Sequence, residues 1–129
     1  MLAATQHHIS LTIARQLLNN FVNLLLNGEV DIHDGNNNGA TALLLAARIN
    51  DYDTAKFLLN NGVEINHSDF EGDTVLMKAA IRGYNNIVQL LIEYNVDVNH
   101  TDNYGKTALA KIALRNHINI VQLLFIQYS

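Results

Sequence analysis

The fold is set by residues 69–101, which read DFEGDTVLMKAAIRGYNNIVQLLIEYNVDVNHT. The chain repeats this pattern every 33 residues. The repeated positions are a glycine, a threonine and a leucine, found at Gly39, Thr41 and Leu43, at Gly72, Thr74 and Leu76, and at Gly105, Thr107 and Leu109. A fixed period of this length indicates stacked supersecondary units, since one such unit cannot bury its apolar side alone.

Each unit is predicted to contain two short helices. In the unit 69–101, the polar residues before Thr74 suit a tight turn, and Thr74 can cap a helix that runs to Arg82. Gly83 ends that helix, because glycine adopts the left-handed backbone conformation without steric cost. A second helix with a one-sided apolar stripe follows and ends at Asn95.

The positions between the helices exchange only glycine and asparagine. The first helices end at Asn50, Gly83 and Asn116, and the second helices end at Gly62 and Asn95. These two residue types adopt left-handed backbone most readily, so the exchanges preserve conformation. We therefore predict one all-α domain, a solenoid of about four stacked helix-turn-helix units. The predicted units are a degenerate N-terminal capping repeat over residues 1–35 and repeats over residues 36–68, 69–101 and 102–129.

Composition excludes several classes of protein. Of the 129 residues, 49% are hydrophobic and 16% are charged, which is typical of a globular chain. The net charge of −4 disfavours a nucleic-acid partner, and no apolar run is long enough to cross a membrane. The chain has no cysteine, which fits a reducing compartment, so we expect a cytoplasmic location.

The sequence carries no motif for catalysis, for a cofactor or for a metal. None of the six histidines has metal-ligand spacing; His67 and His100, for example, are repeat-equivalent and belong to successive units. No phosphate-binding loop or nucleophile elbow is present. We predict a protein that is not an enzyme. The rival interpretation, a catalytic site built from turn residues, needs convergent polar groups in a pocket.

The residues repeated every 33 positions resemble the ankyrin repeat over nearly the whole chain. The family pattern has a Thr-Pro-Leu-His start to the first helix, paired alanines, an Ile-Val-x-x-Leu-Leu second helix and a Gly-Ala-Asp-Val-Asn tail. The matching segments include Gly72-Asp73-Thr74-Val75-Leu76, Ala79-Ala80, Ile120-Val121-Gln122-Leu123-Leu124 and Asn95-Val96-Asp97-Val98-Asn99. The Pro position holds Ala42, Val75 and Ala108, and the His position holds Leu44, Met77 and Ala110. Without that His, we expect stability to depend on apolar burial more than on hydrogen bonds between units.

The resemblance implies a protein-binding surface at the turn tips and on the concave side formed by the first helices. The residues predicted to contact a partner are Arg48, Phe70, Glu71, Asp73, Lys78, Ile81, Arg82, Tyr104, Lys106, Lys111 and Arg115. Seven of the eight basic residues fall in first helices or turn tips, and only Lys56 lies in a second helix. Lys78 with Arg82, and Lys111 with Arg115, are spaced to share a helix face.

These basic positions predict a stripe that receives an acidic protein surface, with Phe70 and Tyr104 as aromatic anchors. The alternative is that the same residues are ordinary solvated faces, in which each Arg is balanced by a nearby Asp.

We predict a non-catalytic protein that binds a partner and masks or inhibits it, as an immunity protein does. The alternative is an adaptor or secreted microbial effector that recruits a cellular factor. The last unit adds an apolar face with Ile112, Ile118, Phe125 and Ile126. A partner, a homodimer through this C-terminal repeat or simple fraying each accounts for that face, and the chain as part of a longer array is a further alternative.

Overall fold

The computed structural model describes residues 2–30 and 38–127. Over these two ranges the chain forms seven helices and no strand, which confirms the all-α prediction. In chain order the helices are α1 (Leu2–Leu26), α2 (Asn38–Arg48), α3 (Tyr52–Asn60), α4 (Val75–Arg82), α5 (Asn85–Glu93), α6 (Ala108–Ile112) and α7 (Ile118–Ile126).

Side-chain caps begin several of these helices. The Thr74 hydroxyl accepts a hydrogen bond from the Met77 amide at 3.4 Å, and the Thr107 hydroxyl accepts one from the Ala110 amide at 3.2 Å. Thr74 and Thr107 thus each satisfy an amide that the first turn of a helix leaves without an intrahelical partner, whereas Thr41, at the same repeat position, lies inside α2. Asp51 does the same for α3, where its carboxylate accepts from the Thr54 amide at 3.2 Å.

Left-handed residues end the helices where the sequence placed them. The backbone φ angle is 59° at Asn50 and 76° at Gly83, after the first helices, and 81° at Gly62 and 62° at Asn95, after the second helices. The prediction fails at Asn116, which does not have a positive φ. There α6 ends early, at Ile112, and its next four residues are exposed, so packing contributes little to a further turn.

The helices form two layers. The first helices pack side by side, with α2 against α4 and α4 against α6. The second helices form the other layer, with α3 against α5 and α5 against α7, and α1 packs on α2. The core lies between the layers and includes the fully buried Leu43, Leu58, Leu76, Leu91, Ile112 and Leu124. The paired alanines Ala46–Ala47 and Ala79–Ala80 are buried too, which lets neighbouring helices approach closely.

The N-terminal unit differs from the prediction. We expected a helix pair, but α1 is one continuous helix of 25 residues, so three helix pairs follow a single long helix. The physical reason is visible one period before Asn50, where the chain has Leu17, a strong helix former. Ala14 and Leu18 are the buried contacts of α1 with the core. The predicted boundary at residues 35 and 36 lies outside the described residues.

Candidate functional site

An open cleft lies between the first helices α2 and α4. Its volume is about 360 Å³, and its lining residues are Thr41, Leu44, Leu45, Arg48, Asp69, Lys78 and Arg82. The two leucines are half-buried and form an apolar floor, whereas Arg48 and Arg82 are exposed at the rim. Three cations and one carboxylate line the cleft, so its net charge is positive.

The cations of this cleft differ in how they are neutralised. The Lys78 ammonium lies 2.8 Å from Asp69 Oδ2 and 3.8 Å from Asp73 Oδ2. Arg82 Nη1 donates to the Lys78 carbonyl oxygen at 3.2 Å, and no carboxylate in the described part of the chain pairs with it. Arg82 therefore leaves its positive charge facing solvent at the rim, while Lys78 contributes little net charge.

A second lysine joins the last two units. The Lys111 ammonium lies 2.9 Å from Asp73 Oδ1 and 2.8 Å from Asp102 Oδ2, and all three side chains are mostly or fully buried. Asp73 belongs to the unit 69–101, whereas Lys111 and Asp102 belong to the next unit. The prediction that Asp73 and Lys111 are exposed contact residues is corrected here, because burial and ion pairing commit both to holding the units together.

Two aspartates one period apart organise the turns. Asp69 Oδ1 accepts hydrogen bonds from the Glu71 and Asp73 amides, and Asp102 Oδ1 accepts from the Tyr104 and Lys106 amides, all at 2.9 Å. The hydrogen bond from Lys111, with those amides, lowers the pKa of Asp102 to about 2 against the opposing effect of burial. Burial raises the pKa of Asp69, but the bond from Lys78 and two backbone amides outweigh it, so its pKa is lowered.

The depressed pKa of Asp102 predicts acid sensitivity. Its ordinary pKa is 3.8 and its folded value is about 2, so its stabilising effect is complete above pH 3.8 and disappears as the pH falls toward 2. We expect the free energy of unfolding, measured by urea denaturation, to decrease through this window. Asp102→Asn keeps an oxygen acceptor for the amides but cannot titrate, so it should flatten the decrease. An equal decrease in this variant would assign the acid sensitivity to other groups.

The turn tips of the last two units are bonded to each other. The Asn103 backbone amide donates to the Glu71 carbonyl oxygen at 3.1 Å, and Asn103 Nδ2 donates to the Phe70 carbonyl oxygen at 2.8 Å. On these joined turns the aromatic rings point outward, with relative exposures of 104% for Phe70 and 85% for Tyr104. Their positions are thus held by backbone bonds, while their apolar surfaces remain available to a partner.

The remaining predicted contact residues lie in three different places. Glu71 and Lys106 are exposed on the same turns as the aromatic pair, and Ile81 is half-buried against the core. Arg115 is exposed but lies in the turn after α6, so it does not share a helix face with Lys111 as predicted. The exposed arginines on α2 and α4 are Arg48 and Arg82, and Arg115 does not extend this row along α6.

Polar links between units were not predicted from the sequence. Besides Lys111, Asn66 Oδ1 accepts from the Asp97 amide at 2.8 Å, and the His117 ring Nε2 lies 3.0 Å from the Ile81 carbonyl oxygen. The expectation that apolar burial largely replaces such links is therefore incomplete. The periodic pair Asp69 and Asp102 could have predicted the hydrogen bonds within each turn, since an acidic residue repeated before a turn indicates bonds to turn amides, but the links between units had no comparable signal.

Metal-ligating clusters and membrane-spanning helices were considered over the residues that the structure describes. No group of three or more metal-ligating side chains occurs in residues 2–30 and 38–127. None of the helices in the described part of the chain combines the length and hydropathy needed to cross a bilayer.

Comparison with known proteins identifies the repeat. A family model of ankyrin repeats, in three copies, matches residues 1–69 and 65–129. No curated protein matches the chain. Ankyrin repeats are generally protein–protein interaction modules. Because the model matches nearly the whole chain and the helices stack in two layers, the chain belongs to the ankyrin repeat family.

Proposed function

We propose that this chain is a non-catalytic cytoplasmic protein that binds a partner protein and, by covering it, masks or inhibits it. The binding face consists of the cleft between α2 and α4 together with the turn tips that carry Phe70 and Tyr104. The observation that supports it best is the cleft rim, where Arg48 and Arg82 are exposed above an apolar floor. This combination of guanidinium groups and adjoining apolar surface is typical of residues that dominate binding energy.

The charge of this face favours an acidic partner. A guanidinium group binds a carboxylate through two parallel hydrogen bonds, which gives geometry as well as affinity. We propose that acidic side chains of the partner approach Arg48 and Arg82, and that Phe70 and Tyr104 contact apolar surface beside them. Asp73, Lys78 and Lys111 belong to the supporting ion pairs, so they position the face rather than contact the partner.

Charge reversal tests this face. Affinity purification with mass spectrometry would first identify the partner, and calorimetric titration would then compare variants. Arg82→Glu is expected to weaken binding by roughly 30-fold or more, the effect of losing a hot-spot residue, and to reduce its salt dependence. Lys56→Glu makes the same charge change on exposed α3, in the other layer, and should leave the affinity unchanged. Equal affinities for both variants and the unaltered protein would refute the proposed face.

The alternative is an adaptor or secreted effector. The activity of the bound partner and the composition of the complex distinguish it from a masking protein. Masking predicts a one-to-one complex in which the partner loses its activity. Recruitment predicts that the partner stays active and that a third protein joins the complex.

A further inference from the structure

The last helix has an exposed apolar stripe on the side away from the core. This stripe consists of Ile118, Phe125 and Ile126, whose relative exposures are 65%, 66% and 64%, and we refer to it as the α7 stripe. They follow an i, i+7, i+8 spacing with Gln122 between them, opposite the buried Ile120 and Leu124. No residue of α7 is charged. A helix that is apolar on both sides is characteristic of one that is covered on both sides.

The inner units show that another stacked repeat would not cover this stripe. One period earlier, on α5, the equivalent positions are Asn85, Ile92 and Glu93. Ile92 is partly buried, but Asn85 and Glu93 stay exposed even though a further unit packs against α5. A repeat added after α7 would therefore bury Phe125 only in part and leave Ile118 and Ile126 in water. The two isoleucines need a neighbour that approaches from a different direction.

We propose that a second copy of this chain is that neighbour and that two copies pair through their α7 helices about a twofold axis. Such an interface must be complementary to itself, and a helix without charged side chains places no like charges together. Gln122 lies midway along the stripe, so an antiparallel pair brings it beside its counterpart in the second copy. Each side-chain amide has both donors and an acceptor and can satisfy the other.

The exposed area agrees with a dimer of modest size. The α7 stripe and the fully exposed Leu114, in the turn before α7, offer on the order of 500 Å² per copy if a large apolar side chain contributes roughly 200 Å². Two copies would bury about 1,000 Å² in total, which is the lower limit for a specific interface. The dimer uses the layer of second helices, so the binding face on the first helices stays accessible.

A single cysteine can test the geometry, because the chain has none of its own. Gln122→Cys is expected to form a disulfide-linked dimer under mild oxidation, since the two thiols meet at the axis. Gln89→Cys is the matched control, one period earlier and exposed on α5, and it should remain monomeric on a non-reducing gel. Equal cross-linking of the two variants would show random collision and overturn the pairing.

A second pair of variants tests the apolar contact. Ile118→Asn combined with Ile126→Glu restores the residues that α5 carries at these positions, so the fold tolerates them. We expect this variant to raise the dimer dissociation constant at least about 100-fold in analytical ultracentrifugation. Ile13→Asn, on the exposed side of α1 at the opposite end, should leave the dimer intact. Dissociation by Ile13→Asn, or an unaltered protein that is monomeric at every concentration, would refute pairing through α7.

Discussion

Lys111→Met is expected to lower the free energy of unfolding by about 3 kcal/mol, since breaking a buried ion pair leaves uncompensated charge in the interior. The Lys111 ammonium is the shared partner of the Asp73 and Asp102 carboxylates. Methionine keeps most of the side-chain volume and removes the charge, so the loss reports the ion pairs rather than a cavity. Equilibrium unfolding in urea measures it.

The matched control for this experiment is Lys106→Met. Lys106 is exposed, and its substitution changes the net charge by the same amount. The free energy of unfolding should therefore change by no more than about 0.5 kcal/mol. Asp73→Asn, alone and combined with Lys111→Met, completes a double-mutant cycle that measures the coupling between the two side chains. Similar losses for Lys111→Met and Lys106→Met, or no coupling in the cycle, would contradict the role assigned to the network.

Gly72→Ala is expected to destabilise the protein by at least about 3 kcal/mol, the combined effect of left-handed backbone strain and overpacking. The φ angle of Gly72 is +82°, and a Cβ atom there would lie 2.6 Å from Asn103 Oδ1 and 2.7 Å from the Asn103 backbone nitrogen. The substitution therefore separates the two turn tips and weakens the bonds that Asn103 donates. Amide hydrogen exchange should show the last unit losing protection first.

Gly105→Ala separates the two contributions. Gly105 is the repeat-equivalent residue with a φ of +79°, but no atom lies within 4 Å of its added Cβ. Gly105→Ala should therefore lower the free energy of unfolding only by the cost of the backbone strain, about 1–2 kcal/mol. If the two alanine variants lost equal stability, the close approach of the turns would not contribute.

The local parts of the fold could be predicted from the sequence. Thr74 as a helix cap and Asn50 and Gly83 as left-handed ends depend on residues within one or two turns. The single helix α1 could have been predicted as well, from Leu17 at the break position. The early end of α6 could not be predicted, because it depends on whether another part of the chain packs against Ala113 and Leu114. In the structure both residues are exposed.

The candidate site was predictable only in outline. The positions of Arg48, Arg82, Phe70 and Tyr104 on first helices and turn tips follow from the period. The period does not determine whether a basic residue faces a partner or an internal carboxylate. Lys78 and Lys111 are basic residues of first helices, like the arginines near them in the sequence. Their ammonium groups are nevertheless bound to aspartates.

What the sequence by itself determined is the inner repeated unit of residues 69–101: where its two helices begin and end, and which side of each is apolar. These properties arise from hydrogen bonds and steric limits within a few residues, so the chain carries them directly. The tertiary structure alone decided that Asp73 pairs with a lysine of the next unit, and that of the apolar residues in the last unit Ile112 is buried while Ile118, Phe125 and Ile126 are exposed. Both depend on distances between units, and those distances exist only after the short helices have packed together.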